Sequence, residues 1–236
     1  MTPAPKFRIV IPLYPEVTHL DFTGPHQVLS RAPNVEIVVA SLGGVDMTCD
    51  GLTFAGLTDL AKIERCDMIC VPGGLGTAEA MLDETFVRQV RRLGAGARYV
   101  TSVCTGSLIL AAAGFLAGKR AACHWASRDL LSQFGAIPDA GRVVRDGNII
   151  TGGGVTAGID FAFVVLAELA GEDVAKAVQL SLEYAPAPPF NSGRPELASP
   201  EILQTVTARY AVMANTRLAA ATKAAARLAP ALSPYS

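Results

Sequence analysis

A cysteine stands where an apolar β-like run meets an apolar helix-like run. In residues 99–114, YVTSVCTGSLILAAAG, only Cys104-Thr105-Gly106 separates the two. A residue at such a corner is forced into a tight, often strained backbone conformation. Its side chain projects at the carboxyl edge of the sheet, where open α/β folds bind ligands. The helix N-terminus beneath offers unpaired N–H groups and a partial positive charge. Both favour thiolate over thiol, and a thiolate is a nucleophile. Spacing alone leaves an ordinary buried cysteine in a βα turn equally open.

Four other features could serve that sulfur. Pro72-Gly73-Gly74 closes a second apolar run. Its two glycines let backbone N–H groups approach a ligand, and with the amides after Cys104 they could form an oxyanion-hole-like pocket. A plain glycine turn is the simpler reading. Asp21 lies in LDFTGP, residues 20–25. Its ordinary role there would be a helix cap, and spacing favours that. In an apolar pocket it would instead be held partly protonated, as a proton donor requires. His124 precedes Trp125, the sole tryptophan. It could act as a base for Cys104, but nothing local orients the imidazole, and packing on Trp125 is favoured. In GGGVTAGID, residues 152–160, Gly153 or Gly154 is expected as a hinge whose helix gates the pocket, with a tight strand-to-helix joint as the alternative.

The cysteines at 49, 66, 70, 104 and 123 are odd in number and contain no CxxC. A disulfide scaffold and a zinc site are poorly supported, and the other four cysteines read as small buried hydrophobes. No HxH or HExxH occurs, so no metal is expected. GLGT is not a dinucleotide-binding GxGxxG, and no Walker motif exists.

The elements that must hold these residues follow from periodicity. Strands are expected over residues 7–14, 35–42, 66–74, 97–104 and 120–125. Helices are expected over about 21–31, with Pro25 near the first turn, from Asp83 to about 93, after Cys104, over WASRDLLSQFGA to Gly135, and near 157–170 and 173–184. Two β-branched runs around Asp146-Gly147-Asn148 predict a hairpin. Fully apolar strands alternating with helices predict an α/β fold, a mostly parallel sheet with helices on both faces. Residues 1–195 form this domain, ending in a proline-rich piece. Residues 196–236 form a helical extension, packing on the same domain or on a partner subunit. Of 236 residues, 50% are hydrophobic and 17% charged, enough for a large core and against disorder. A net charge of -1 gives no footprint for nucleic acid. No apolar run reaches about 18 residues, so no membrane span is expected. MTPAPKFRIVIPLYPE is too proline-broken for a signal peptide, which predicts a cytoplasmic protein.

Taken together, LDFTGPHQVL, DMICVPGG, YVTSVCTGSLILAAAG, KRAACHW, RVVRDGNIITGGGVTAGIDF and LEYAPAPPFNSG resemble the ThiJ/PfpI superfamily, related to class I glutamine amidotransferases. Within it the LDFTGP and QLSLEYAPAPPFN segments resemble the isocyanide (isonitrile) hydratases. That resemblance implies a flavodoxin-like sheet, a homodimer, no cofactor, and addition of water to a small-molecule isocyanide to give an N-formamide. It assigns Cys104 as nucleophile and Asp21 as essential acid, through a covalent thioimidate. Thr105, Gly73 and Gly74 are then expected to fix the thiolate and intermediate, in an apolar pocket. Thr105 stands where peptidase-like members have His, which weakens a protease reading. Asp21 stands where many members have Glu. Two alternatives stay open: a redox sensor or stress protein using an accessible, low-pKa Cys104, and an AraC-type ligand-binding module.

Overall fold

The computed structural model describes residues 6–228; residues 1–5 and 229–236, the last of them the end of the expected C-terminal extension, lie outside the described residues. Five strands with continuous or near-continuous apolar runs form the centre: β1 (Phe7–Pro12), β2 (Val35–Ser41), β6 (Met68–Val71), β7 (Tyr99–Val103) and β11 (Ile149–Gly152). With β5 (Thr58–Asp59) and β10 (Val143–Asp146) they make a seven-stranded sheet of order β10-β11-β7-β6-β1-β2-β5. All neighbours are parallel except β10 and β11. Every residue of β6 and β7 is buried, as a sheet covered on both faces demands. The polar residues of β7 are satisfied inside: the Thr101 hydroxyl donates to the Ile69 carbonyl at 2.8 Å, and Ser102 pairs with Ser107 at 2.8 Å.

One face is covered by α1 (His19–Leu29) and α5 (Ala157–Ala170), with α6 (Glu172–Ser181) against α5. The other face carries α2 (Thr77–Leu82), α3 (Glu84–Ala95) and α4 (Gly106–Ala112). The carboxylate of Asp83 caps α3 as expected, accepting from Thr85 and Phe86 N–H at 2.9 and 3.0 Å. The hairpin forms in the expected place, with Gly147 at φ 64° in its turn. After the proline-rich piece, α7 (Pro200–Leu228) runs for 29 residues and lies on α2, α4 and the 3-10 segment Trp125–Phe134, burying Ala220, Ala221, Ala224 and Leu228.

Three local expectations are corrected. Residues 120–125 do not form one strand: β8 is only Arg120–Ala121, paired with the short β9 (Ile137–Pro138). The segment ending at Gly135 is a 3-10 rather than an α-helix, although it stops at left-handed Gly135 (φ 71°). Pro25 lies inside α1, not in its first turn. Its ring nitrogen cannot donate to the carbonyl of Asp21 four residues back. The position is held by packing: a Cβ on Gly158 of α5 would stand 3.3 Å from the Pro25 ring. The small ribbon of β3 (Met47–Cys49) and β4 (Leu52–Phe54), and α2, carry no strong periodic signal and are additions to the expected elements.

Candidate active site

The strands β6, β1, β7 and β11 bring their carboxyl ends together. The chain leaves β1 towards β2 on one side and β6 on the other, so the crevice where open α/β sheets bind ligands opens between β1 and β6. Asp21 enters from the β1 side, Gly73 and Gly74 follow β6, Cys104 follows β7, and Gly153 and Gly154 follow β11.

Cys104 adopts φ 59°, a left-handed conformation that costs a non-glycine residue about 1–3 kcal/mol. Two bonds hold it there: its N–H donates to the carbonyls of Gly152 at 3.1 Å and Gly153 at 2.8 Å. Gly106 permits the corner, because a Cβ there would sit 2.1 Å from the Val71 carbonyl oxygen. The N–H groups of Thr105 and Val155 face Sγ and favour its anionic form. The expected low pKa is nonetheless overturned. Burial, and then the negative charge of Asp21, push the thiol well above its ordinary value. Cys104 is 5% exposed, so its sulfur is sealed at rest.

Asp21 does not cap its helix. Thr18 is the N-cap residue, and the Asp21 side chain turns into the protein, fully buried. Its Oδ2 accepts from Gly73 N–H at 2.9 Å, its Oδ1 has no partner, and the Cys104 thiol faces the carboxyl group. Burial raises this carboxyl to about 7, against the pull of the Gly73 N–H and the thiol. It therefore exchanges a proton near neutral pH.

The glycine turn is corrected in role. Gly73 N–H is taken by Asp21, and Gly74 N–H donates to Thr105 Oγ1 at 3.0 Å. Neither amide points at an open oxyanion position. They clamp the acid and Thr105 instead. A Cβ on Gly73 would lie 2.5 Å from Thr105 N and 2.8 Å from Asp21 Oδ2, which explains the glycine. Thr105 Oγ1 also pairs with Thr77 Oγ1 at 2.7 Å, and Thr77 in turn pairs with the Tyr14 hydroxyl at 3.2 Å.

His124 packs on its neighbours, the arrangement that spacing favours. Its ring lies 5.7 Å from that of Trp125 and 5.6 Å from that of Tyr210 in α7. Its Nδ1 accepts from Ala126 N–H at 3.3 Å, and burial and Arg217 push its pKa down to about 4, so it is neutral at pH 7. Gly153 and Gly154 are not at positive φ. A Cβ on Gly154 would press on His124 Cδ2 at 3.0 Å, whereas Gly153 has room. These glycines line a cavity of about 580 Å³ together with Cys123, His124 and Val155. Its lining is mixed, with Arg128, Arg142 and Arg194 beside Trp125, Val155 and Leu197, and it does not include Cys104 or Asp21.

Spacing misses Arg217. It reaches the glycine turn from α7, only 5% exposed, donating from Nη2 to the Gly74 carbonyl at 2.8 Å and from Nη1 to Ser127 Oγ at 3.3 Å. Nothing near residue 217 in the chain marks it, since its partners are 90 and 143 residues away.

A strained cysteine corner over a buried acid, on this sheet, defines a class, and sequence comparison agrees. Residues 7–168 match the DJ-1/PfpI family model, and the chain belongs to that family. It is 49% identical over 217 residues to the isonitrile hydratase of Pseudomonas putida, covering 92% of this chain and 95% of that protein. It is 30% identical over 185 residues to protein dj-1beta of Drosophila melanogaster, covering 76% of this chain and 98% of that protein. Among solved structures it superposes on a ThiJ/PfpI family protein from Pseudomonas syringae with a TM-score of 0.89, at 38% identity, over 92% of this chain and 90% of that one.

Proposed function

We propose that this protein is an isocyanide hydratase, a hydro-lyase that converts R–N≡C and water to R–NH–CHO. The observation that carries the reading is the sealed Cys104–Asp21 pair, in which the thiol faces a carboxyl group that burial raises to about 7. Identity of 49% to an isonitrile hydratase supports the substrate class.

The chemistry needs a nucleophile and a proton at the same carbon. As Sγ bonds to the terminal carbon, the thiol proton passes to the Asp21 carboxylate and from there to that carbon. The product is a thioimidate, R–N=CH–S–Cys104. Asp21, again a carboxylate, takes a proton from water as the oxygen adds to the thioimidate carbon, and returns it to nitrogen. The unpartnered Oδ1 is the free acceptor for that water. The tetrahedral adduct collapses by breaking C–S and forming C=O, and the hydroxyl proton returns to sulfur. The pair works with one proton between its members, so kcat/KM falls on the acid side near pH 7 and again at high pH. Because Cys104 is sealed, substrate enters through a displacement of residues 153–155, which assigns Gly153 the hinge role.

Formamide production from p-nitrophenyl isocyanide tests this. Wild type turns over and, quenched early, carries a mass adduct on the Cys104 peptide. Cys104→Ala does neither. Undiminished turnover in Cys104→Ala, with no adduct in wild type, would end the reading.

A further inference from the structure

A buried guanidinium sits behind the glycine turn with no carboxylate within ion-pair distance among the described residues. Burying a charge without a counter-ion is costly. Arg217 keeps the charge on two hydrogen bonds, to Gly74 O and Ser127 Oγ, and leaves Nε unsatisfied. A helix anchor needs none of this. The flanking α7 residues Ala220, Ala221, Ala224 and Leu228 bury apolar surface at no such cost.

The bond to Gly74 explains the placement. The Gly74 carbonyl also accepts from the Thr77 hydroxyl at 2.7 Å and, more weakly, from the Thr77 N–H and the Thr105 hydroxyl, each at 3.4 Å, while Thr105 Oγ1 pairs with Thr77 Oγ1 at 2.7 Å. That fixes the hydroxyl of the residue next to the nucleophile. It also holds the turn whose Gly73 N–H is the hydrogen bond on Asp21. We propose that Arg217 is a positioning residue for the reaction: through the Gly74 carbonyl, α7 fixes the turn that holds Asp21 and Thr105 against Cys104. The C-terminal extension is thereby part of the active site.

The groups around the Asp21–Cys104 pair make the electrostatic consequence specific. Tyr14 after β1, Cys70 in β6 and Cys123 after β8 face it, all held neutral by burial, and no ionisable side chain of α5 or β11 among the described residues shifts it. Arg217 faces Tyr14, Cys123 and His124, and Arg128 also faces Cys123. Losing Arg217 slackens the turn and with it the Gly73 N–H on Asp21, which makes the pair harder to deprotonate.

The inference rests on the hydratase reading for its activity arm, and a second arm is independent of it. Arg217→Met, Arg217→Lys and the α7 control Thr222→Ala are compared with wild type. Turnover of p-nitrophenyl isocyanide is followed against pH, and so is iodoacetamide alkylation of Cys104, read by peptide mass spectrometry. The Met variant is expected to lose at least tenfold in kcat with KM within about threefold. The acid limb of both profiles moves to higher pH by half a unit or more. The Lys variant recovers part of each, and Thr222→Ala matches wild type. Absence of isocyanide turnover in wild type would sink the hydratase reading while the alkylation profile still tests Arg217. Unchanged alkylation profiles in folded Met and Lys variants overturn the proposal. If the Met variant does not fold, the Lys variant and Ser127→Ala are compared with wild type in its place, and unchanged profiles in both overturn the proposal equally.

Discussion

Two carboxylates on helices that cover one face of the sheet have opposite fates. Glu168, near the end of α5, faces the outer hairpin, where Arg145 grips it with Nη1 and Nη2 at 2.7 and 3.0 Å and the Tyr99 hydroxyl donates at 2.6 Å. The Arg145 hydrogen bonds, then the Tyr99 hydroxyl, hold it down to about 2. Asp21, at the carboxyl edge, has one backbone N–H and no cation in contact, and burial lifts it to about 7. Both are hydrogen-bonded. What separates them is solvent and a neighbouring charge. The outer edge is arranged for stability, with Arg120 pairing Asp139 nearby. The inner edge keeps a carboxyl that the folded state would rather have neutral, which is what the proposed proton transfer requires of it.

Asp21→Asn should break this contrast with the largest effect. Activity falls by about 10²–10⁴, the range of a lost general acid–base group. Stability moves the other way with pH. The folded-state pKa lies above the unfolded value of 3.8, so the protonated carboxyl favours folding at low pH and that advantage is lost as pH rises through about 7. The rise from 3.8 to about 7 corresponds to at most about 4 kcal/mol. Asn cannot ionise, so urea melts should show the variant gaining on wild type between pH 4 and pH 8. A difference that stays flat over that range would show that Asp21 is not perturbed.

Gly153→Ala probes access to the same pair. A methyl group there meets nothing closer than 3.5 Å, so stability should change little. Restricting the backbone should nevertheless slow substrate entry, seen as a several-fold slower adduct burst at Cys104. A burst at the wild-type rate would remove Gly153 as a hinge.

The fold is legible because its signal is local. β6 and β7 are continuous apolar runs, Asp83 caps in place, and Gly147 marks the hairpin turn. The cysteine corner is legible for the same reason, since Cys104 and the Gly106 that permits the turn are two residues apart. Ionisation is not. The helix N-terminus promises a thiolate, but desolvation by groups distant in the chain outweighs it. The duty of the glycine amides is also hidden, because Asp21 and Thr105 reach them across 52 and 31 residues. Arg217 is the extreme case: in a helix of alanines and threonines, an arginine reads as a solvated residue until the fold puts Gly74 beside it.

The outer edge supplies the weakest and opposite-signed test. Glu168 has its pKa lowered from 4.5 to about 2, so its ion pair contributes above the unfolded value and is lost as pH falls towards 2. Glu168→Gln should therefore cost a little stability at pH 7 and nothing near pH 2, the reverse of the trend at Asp21. The Arg145 and Glu168 side chains are 48% and 27% exposed, so solvent and salt screen the pair. In roughly 1 M NaCl the variant and wild type should melt together, whereas the buried Asp21 effect persists. A Glu168→Gln loss that survives high salt would mean that the hairpin edge is held by geometry, with Tyr99 and not Arg145 as the partner that matters.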